Sequence, residues 1–337
     1  MKSIAVVIPF FGKKPSYFDV WKYSALKNPC VDFIFFTDID EITEEKNIKV
    51  YKTTFNDFAN LFRSKFDFEI SLNAPYQLCD FKPTYPYVLS EYLKDYDFCG
   101  HADIDVVLGD ISAFITDDIL DKNDRILELG HFCLYRNCES VNRMFMNGFG
   151  YKDYDYKKCL STPDSMYFDE ALGMCTLCNR LKVPTYKNNA CFFDVLPSVK
   201  EFTHINDAFL ESIFRYDDSL NKLYAVYKEN GEIKEKEIMY THFQKRKMDY
   251  TAFKENTSFY IVPNKLILSS QVESVDSLFN VKGKFIYKLQ RKIVHVKEFF
   301  ARYKKSGVKS FNKFRKMRKA FRYDLANAKK GVESNND

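Results

Sequence analysis

The strongest constraint on this chain is a pair of unbroken apolar runs near its start. Ile4-Ala5-Val6-Val7-Ile8 ends at Pro9, and Phe33-Ile34-Phe35-Phe36 ends at Thr37-Asp38. A strand with one wet face alternates apolar and polar residues. A short continuous apolar run therefore reads as a strand buried on both faces, as in a parallel sheet. Residues 48–51 and 98–101 supply two more strands. Between them, residues 17–26 have helical spacing, Thr54-x-x-Asp57 reads as a helix start, and residues 85–93 as another helix. Strands alternating with helices predict a doubly wound parallel sheet, with ligands beyond the carboxyl ends of its strands. Pro9 to Gly12, Thr37-Asp38 and Asp103 to Asp105 all fall at such ends.

From residue 125 the pattern becomes mixed. Residues 125–129 and 132–135 read as strands, 139–146 and 169–181 as helices, and 223–227, 237–242 and 259–262 as strands. No internal repeat is visible. The tail differs in kind: residues 281–330 carry 18 Lys and Arg against only Glu298 and Asp324. Phe285, Leu289, Ile293, Val296 and Phe300 recur at threes and fours, and Phe311, Phe314, Met317, Phe321 and Leu325 repeat the scheme. The expected organisation is a mixed α/β domain over 1–265, a basic helical tail over 266–330 and a disordered end over 331–337. Such helices suit an anionic bilayer surface, and equally suit packing onto residues 1–280, where 42 acidic side chains outnumber 33 basic ones. Nucleic acid is disfavoured as a partner, because no motif for it accompanies the basic charge.

Nine cysteines without a paired framework read as free thiols of a reducing compartment. Cys175 and Cys178 form a lone CxxC with no second pair to complete a zinc site. No secretory leader and no ~20-residue apolar span is evident, so a cytoplasmic protein is expected. Neither GxGxxG nor a Walker loop is present, which argues against a dehydrogenase or kinase, and no GxSxG elbow marks a hydrolase.

The sharpest chemical signal is Gly100-His101-Ala102-Asp103-Ile104-Asp105 at the end of an apolar strand. Two carboxylates there offer hard oxygen ligands to Mn²⁺ or Mg²⁺ bridging a diphosphate. His242, in Tyr240-Thr241-His242-Phe243-Gln244-Lys245-Arg246-Lys247, reads either as a core strand histidine or as a third ligand. Lys245 and Lys247 read as phosphate contacts or solvated surface. Asp169 and Glu170 read as catalytic or sugar-holding carboxylates, or as a helix start. His101 and His131 suit a place near the sugar or in the core.

The order of these motifs resembles the GT-A glycosyltransferases, especially retaining families that use UDP-sugars, and related capsular polysaccharide enzymes. The resemblance covers residues 1–265 and leaves out the tail. It implies a Rossmann-like nucleotide-sugar-binding mixed sheet, a nucleotide-sugar donor and a surface polysaccharide or lipid-linked glycan acceptor. It implies that Pro9 and Phe10 contact the nucleotide and that Thr37 and Asp38 read the base. Cys79-Asp80-Phe81-Lys82 is similar to a motif that precedes the metal strand, which brings Asp80 and Lys82 to the donor. Residues 130–137, with His131, resemble the strand lining the donor sugar. Asp169-Glu170 resembles an acidic pair at the sugar and acceptor side, and His242 a late metal ligand with Lys245 following at the phosphate. Two other readings stay open: a metal-dependent nucleotidyltransferase or phosphodiesterase, and a non-catalytic glycan- or membrane-surface protein on a transferase fold.

Overall fold

A computed structural model of the protein describes residues 2–148, 155–196, 201–204, 207–244 and 246–281. The molecule is mixed α/β. Its largest sheet contains β1 (Ile4–Pro9), β2 (Asp32–Thr37), β3 (Ile48–Lys52) and β4 (Phe98–Ala102). These four pair in parallel in the order β3-β2-β1-β4. β1 and β2 are the two apolar runs of the sequence, and α1 (Phe18–Leu26) packs Phe18 and Trp21 against Phe33 and Phe35. The α2 helix (Phe55–Arg63) begins where Thr54 accepts a hydrogen bond from the backbone N–H of Asp57. A cap of that type stabilises a helix by about 1 kcal/mol.

Beyond β4 the parallel run ends and the sheet becomes mixed. After β5 (Val106–Leu108) and β6 (Arg125–Ile126), β7 (Phe132–Arg136) lies antiparallel to β4, with Phe132 opposite Ala102. β6 pairs antiparallel with β7 and parallel with β8 (Thr185–Tyr186), which completes seven strands. The reversal places the start of β7 at the edge where β4 ends. Gly100 permits this pairing: a Cβ there would lie 2.0 Å from the Cys133 carbonyl oxygen.

A second, three-stranded sheet joins β5 to β9 (Phe192–Asp194) and β14 (Tyr240–His242) in the order β5-β14-β9. The remaining strands are β10 (Phe202–His204), β11 (Asp207–Asp217), β12 (Lys222–Glu229), β13 (Glu232–Ile238), β15 (Phe259–Val262) and β16 (Lys265–Leu268). They form an antiparallel sheet, β13-β12-β11-β15-β16, with β10 beside β11. The stretch read as one strand over 237–242 is thus divided at Met239 between two sheets. Phe214, Tyr216, Leu223 and Phe259 share a core with Val107, Phe193 and Phe243, and with Val20 and Tyr23 of α1.

Several helices are more broken than their spacing suggests. Residues 85–93 form two short turns, Tyr85–Val88 and Ser90–Leu93, with Leu89 outside helical geometry. The expected helix from Asp169 starts only at Ala171, first as a π-helical turn (Ala171–Cys175) and then as α-helix (Thr176–Leu181). Asp169 and Glu170 precede it. The folded body also continues past residue 265, since β16 pairs with β15 and Leu278 and Phe279 are buried against Ile213, Val226, Tyr260 and Val262. The basic amphipathic helices expected over 285–325 and the disordered end over 331–337 lie outside the described residues. Among the described residues, no helix is long and apolar enough to cross a membrane.

Candidate functional site

The site lies where the first two sheets meet. Asp103 directly follows β4, and its backbone N–H donates to the carbonyl of His131, just ahead of β7, at 3.1 Å. Asp105 directly precedes β5. In the small sheet, His242 is opposite Val106 on one side and Asp194 on the other. Strand pairing alone therefore brings Asp105, His242 and Asp194 abreast, with Asp103 and His131 arriving from the large sheet. Five residues spread over 140 positions of sequence become neighbours through register.

His242 is the hub. Its Nε2 lies 3.3 Å from Asp105 Oδ1 and 3.9 Å from Asp103 Oδ2, and its Nδ1 lies 2.9 Å from Asp194 Oδ1. Burial opposes charge on this imidazole, but hydrogen bonds to Asp105 and Asp194 outweigh it and raise its pKa to about 10. Burial likewise opposes ionisation of Asp194, and the bond from His242 overcomes it and holds the carboxyl below its ordinary value. Gln244 donates a further bond to Asp194 Oδ1 at 3.0 Å.

Asp103, Asp105 and His242 offer ligand atoms all within 4.8 Å of one another. Two carboxylates and one imidazole, partly open to solvent, fit an octahedral divalent cation that keeps waters or takes phosphate oxygens. The hydrogen bond from Nδ1 to Asp194 is the partner a metal-binding histidine needs, because it presents Nε2 as the ligand atom. Tyr17 and Tyr250 both feel the charge of this cluster. Burial and then the Asp105 carboxylate raise the pKa of both hydroxyls, so both are neutral donors.

Lys82 forms the other wall. Its Nζ is 2.7 Å from Asp103 Oδ1, 2.8 Å from the Gly130 carbonyl oxygen and 3.5 Å from Asp169 Oδ2. Burial works against its charge, but Asp103 and Asp169 keep its pKa well above the ordinary value. For Asp103 the balance is reciprocal: burial opposes ionisation, and Lys82 and His242 hold its carboxyl below the ordinary range. Asp169 is pushed up to about 7 by burial, which Lys82 only partly offsets. Glu170 is half-buried and is also raised, first by burial and then, against Lys82, by Asp103 and Asp194. Gly130 admits this arrangement, since a Cβ there would stand 2.3 Å from Asp169 Oδ2.

Other residues singled out from sequence are engaged differently. Asp80 is buried and accepts the backbone N–H groups of Met166 and Phe168, each at 2.8 Å, so it anchors the loop leading into Asp169. Thr37 is buried, with its hydroxyl accepting the N–H of Ile39. Asp38 is exposed and accepts the N–H of Gly12 at 2.8 Å, tying the loop after β1 to the end of β2. Pro9 and Phe10 lie half-buried in that loop, and Phe10 N–H bonds to Phe36. His101 sits fully buried between Tyr85 and Tyr135, on the opposite side of β4 from its neighbour Gly100. Lys247 is exposed, and Lys245 lies outside the described residues. No disulfide joins any cysteines of the described residues, Cys175 and Cys178 included.

Asp194, Tyr17 and Tyr250 were not singled out in the sequence. Asp194 did carry a signal: Phe192-Phe193-Asp194 is an apolar run ending in a carboxylate, the same form as the end of β4. The two tyrosines carried none, since 23 tyrosines are scattered along the chain.

Residues 6–270 match the model of a family of unknown function, DUF6625, and the chain belongs to that family. No curated protein matches the chain.

Proposed function

We propose that this member of a family of unknown function is a metal-dependent glycosyltransferase of the GT-A kind. Its donor is a nucleotide-sugar, in the first instance a UDP-sugar, and its acceptor a surface polysaccharide or lipid-linked glycan. The observation that carries this reading is the Asp103–Asp105–His242 cluster at the carboxyl edge of the parallel strands β1, β2 and β4. That edge also holds the residues from Pro9 to Gly12 and Thr37-Asp38, which offer an exposed Gly12 and Asp38 and a half-buried Phe10 to a base. Asp103, Asp105 and His242 would hold Mn²⁺ or Mg²⁺, which when bound supplies positive charge to the leaving diphosphate.

The protein's own groups divide the remaining work. Lys82 braces Asp103 from behind and fixes its orientation. Asp169 is tied to Lys82 and buried, so it positions. Glu170 is the more accessible carboxylate, and with its raised pKa it suits a hydrogen bond to a sugar hydroxyl or a proton from the acceptor. Tyr17 and Tyr250 supply neutral hydroxyls that feel the Asp105 charge. The resemblance to retaining families favours retention of configuration at the transferred sugar.

The test is calorimetric titration of the protein with UDP, with and without Mn²⁺, beside an Asp103→Ala, Asp105→Ala double variant. Binding that needs metal and vanishes in the folded variant is the expected result. No UDP binding by folded wild-type protein in the presence of metal removes the UDP-sugar donor, and failure with GDP- and CMP-linked donors as well removes the transferase reading.

A further inference from the structure

His131 has one nitrogen that the fold leaves unused. The residue is 5% exposed, and its Nδ1 is 2.8 Å from the Tyr240 hydroxyl. Its Nε2 is buried with no hydrogen-bond partner among the described residues. Buried polar atoms in native proteins nearly always have a partner, and an orphan calls for an ion, a water or a functional cause. The His131 ring lies over that of His242, with centroids 4.5 Å apart at 33°. The ligand atoms of His131, Asp194 and His242 fall within 4.8 Å of one another, and all three residues are buried.

We propose that His131, Asp194 and His242 form a second cation site, one that selects Zn²⁺ over Mg²⁺ and competes with the Asp103–Asp105–His242 site for the shared histidine. The donor sets separate the metals. Two imidazole nitrogens and one carboxylate oxygen, closed off from solvent, suit a four-coordinate borderline ion with one further position. Two carboxylates and one imidazole near solvent suit Mn²⁺ or Mg²⁺. Tyr240 is compatible with the ligand tautomer of His131, because its hydroxyl oxygen, 2.8 Å from Nδ1, can accept from Nδ1–H. That leaves the Nε2 lone pair free for a cation.

Competition follows from the chemistry of a neutral imidazole, which has one lone pair. A cation between Asp194 and His242 takes Nδ1, the nitrogen 2.9 Å from Asp194. The proton of His242 then resides on Nε2, where it points at Asp105 in place of a metal. Zinc at the inner site therefore removes the third ligand from the outer one. This inference rests on the donor atoms alone and stands or falls apart from the choice of donor sugar.

The experiment is titration of the full chain with Zn²⁺ and with Mn²⁺, each alone and in competition, by calorimetry with a chromophoric chelator for the tight range. Three proteins are compared: wild type, His131→Phe, and an Asp103→Asn, Asp105→Asn double variant. His131→Phe is expected to weaken Zn²⁺ at least ~10-fold while shifting Mn²⁺ no more than ~2-fold; the double variant is expected to lose Mn²⁺ and keep Zn²⁺. Unchanged Zn²⁺ affinity in His131→Phe overturns the site, as does loss of Zn²⁺ in the double variant. Simultaneous binding of both ions to wild type overturns the competition. Should His131→Phe not fold, Co²⁺ bound to wild type reports instead: the intense visible absorption of a four-coordinate ion is expected, and the weak absorption of a six-coordinate one refutes the proposal.

Discussion

His242 and Asp194 end two neighbouring parallel strands in direct register, and a 2.9 Å hydrogen bond from Nδ1 to Oδ1 joins them. Nothing in their sequence separation of 48 residues announces the pair. The bond decides which face of the imidazole meets Asp103 and Asp105, and so it couples the small sheet to the edge of the large one.

The first prediction concerns that bond. Asp194→Ala is expected to weaken Mn²⁺ by ~10–100-fold, the usual loss when the partner behind a metal-binding histidine is removed. Asp194→Asn keeps an oxygen to accept from Nδ1–H and is expected to recover most of the affinity. Equal Mn²⁺ affinity in wild type and a folded Asp194→Ala, measured by calorimetry, would show that His242 needs no such support.

A second prediction is the direction of pH dependence. In the metal-free protein the His242 pKa is raised from its ordinary 6.5 to about 10, against burial, by Asp105 and Asp194. The folded value lies above the unfolded one. The stability this contributes is therefore full below pH 6.5 and lost as pH rises through 10. A cation needs the neutral ring, so Mn²⁺ binding is expected to tighten with pH and to release about one proton per ion near neutrality. Calorimetry in two buffers of different ionisation enthalpy reads that proton directly. His242→Asn should abolish both the release and this part of the stability slope; persistence of either would place the titration elsewhere.

Substitution of Gly130 should separate the proposed activity from folding. A Cβ at this position meets the tip of Asp169, 2.3 Å from Oδ2, and a carboxylate tip can swing away where backbone cannot. Gly130→Ala is thus expected to cost no more than about 1 kcal/mol of stability while breaking the contact between Asp169 and Lys82. The proposed sugar transfer, followed as nucleotide release, is expected to fall ~10-fold or more through misplacement of the acidic pair, with Mn²⁺ affinity retained. Undiminished transfer would remove Asp169 from the positioning machinery.

Gly100 should behave in the opposite way. Its Cβ would meet backbone, the Cys133 carbonyl at 2.0 Å and Leu134 Cα at 2.8 Å, with no flexible atom to yield. Gly100→Ala is expected to destabilise the protein by about 3 kcal/mol or more, seen as a lower urea midpoint. A loss under about 1 kcal/mol would mean that β4 and β7 separate more easily than their close approach implies.

Much of the fold was legible because burial on both faces leaves a plain mark. The runs at 4–8 and 33–36 are β1 and β2, the stretches read as strands at 48–51 and 98–101 are the edge strand β3 and the buried β4, and Thr54 caps α2 as its spacing with Asp57 implies. The reversal at β7 was not legible. Phe132-Cys133-Leu134-Tyr135 is an apolar run like the others, and an apolar run buried on both faces has no mark of direction. Nor was the division of residues 237–242 between two sheets, since a break of one residue at Met239 interrupts no periodicity.

By itself, the sequence determined the local chemistry: buried strands ending in carboxylates, an Asp-x-Asp at one such end, and a late histidine in an apolar segment. Tertiary structure decided the company each residue keeps. It brought His242 to Asp105 and Asp194, closed Lys82 onto Asp103 and Asp169, and turned Asp80 to the backbone of the 166–168 loop. The physical reason is that hydrophobic burial is read along the chain, one residue at a time. Charge pairing and metal ligation depend on distances across it, and those exist only once strand register is set.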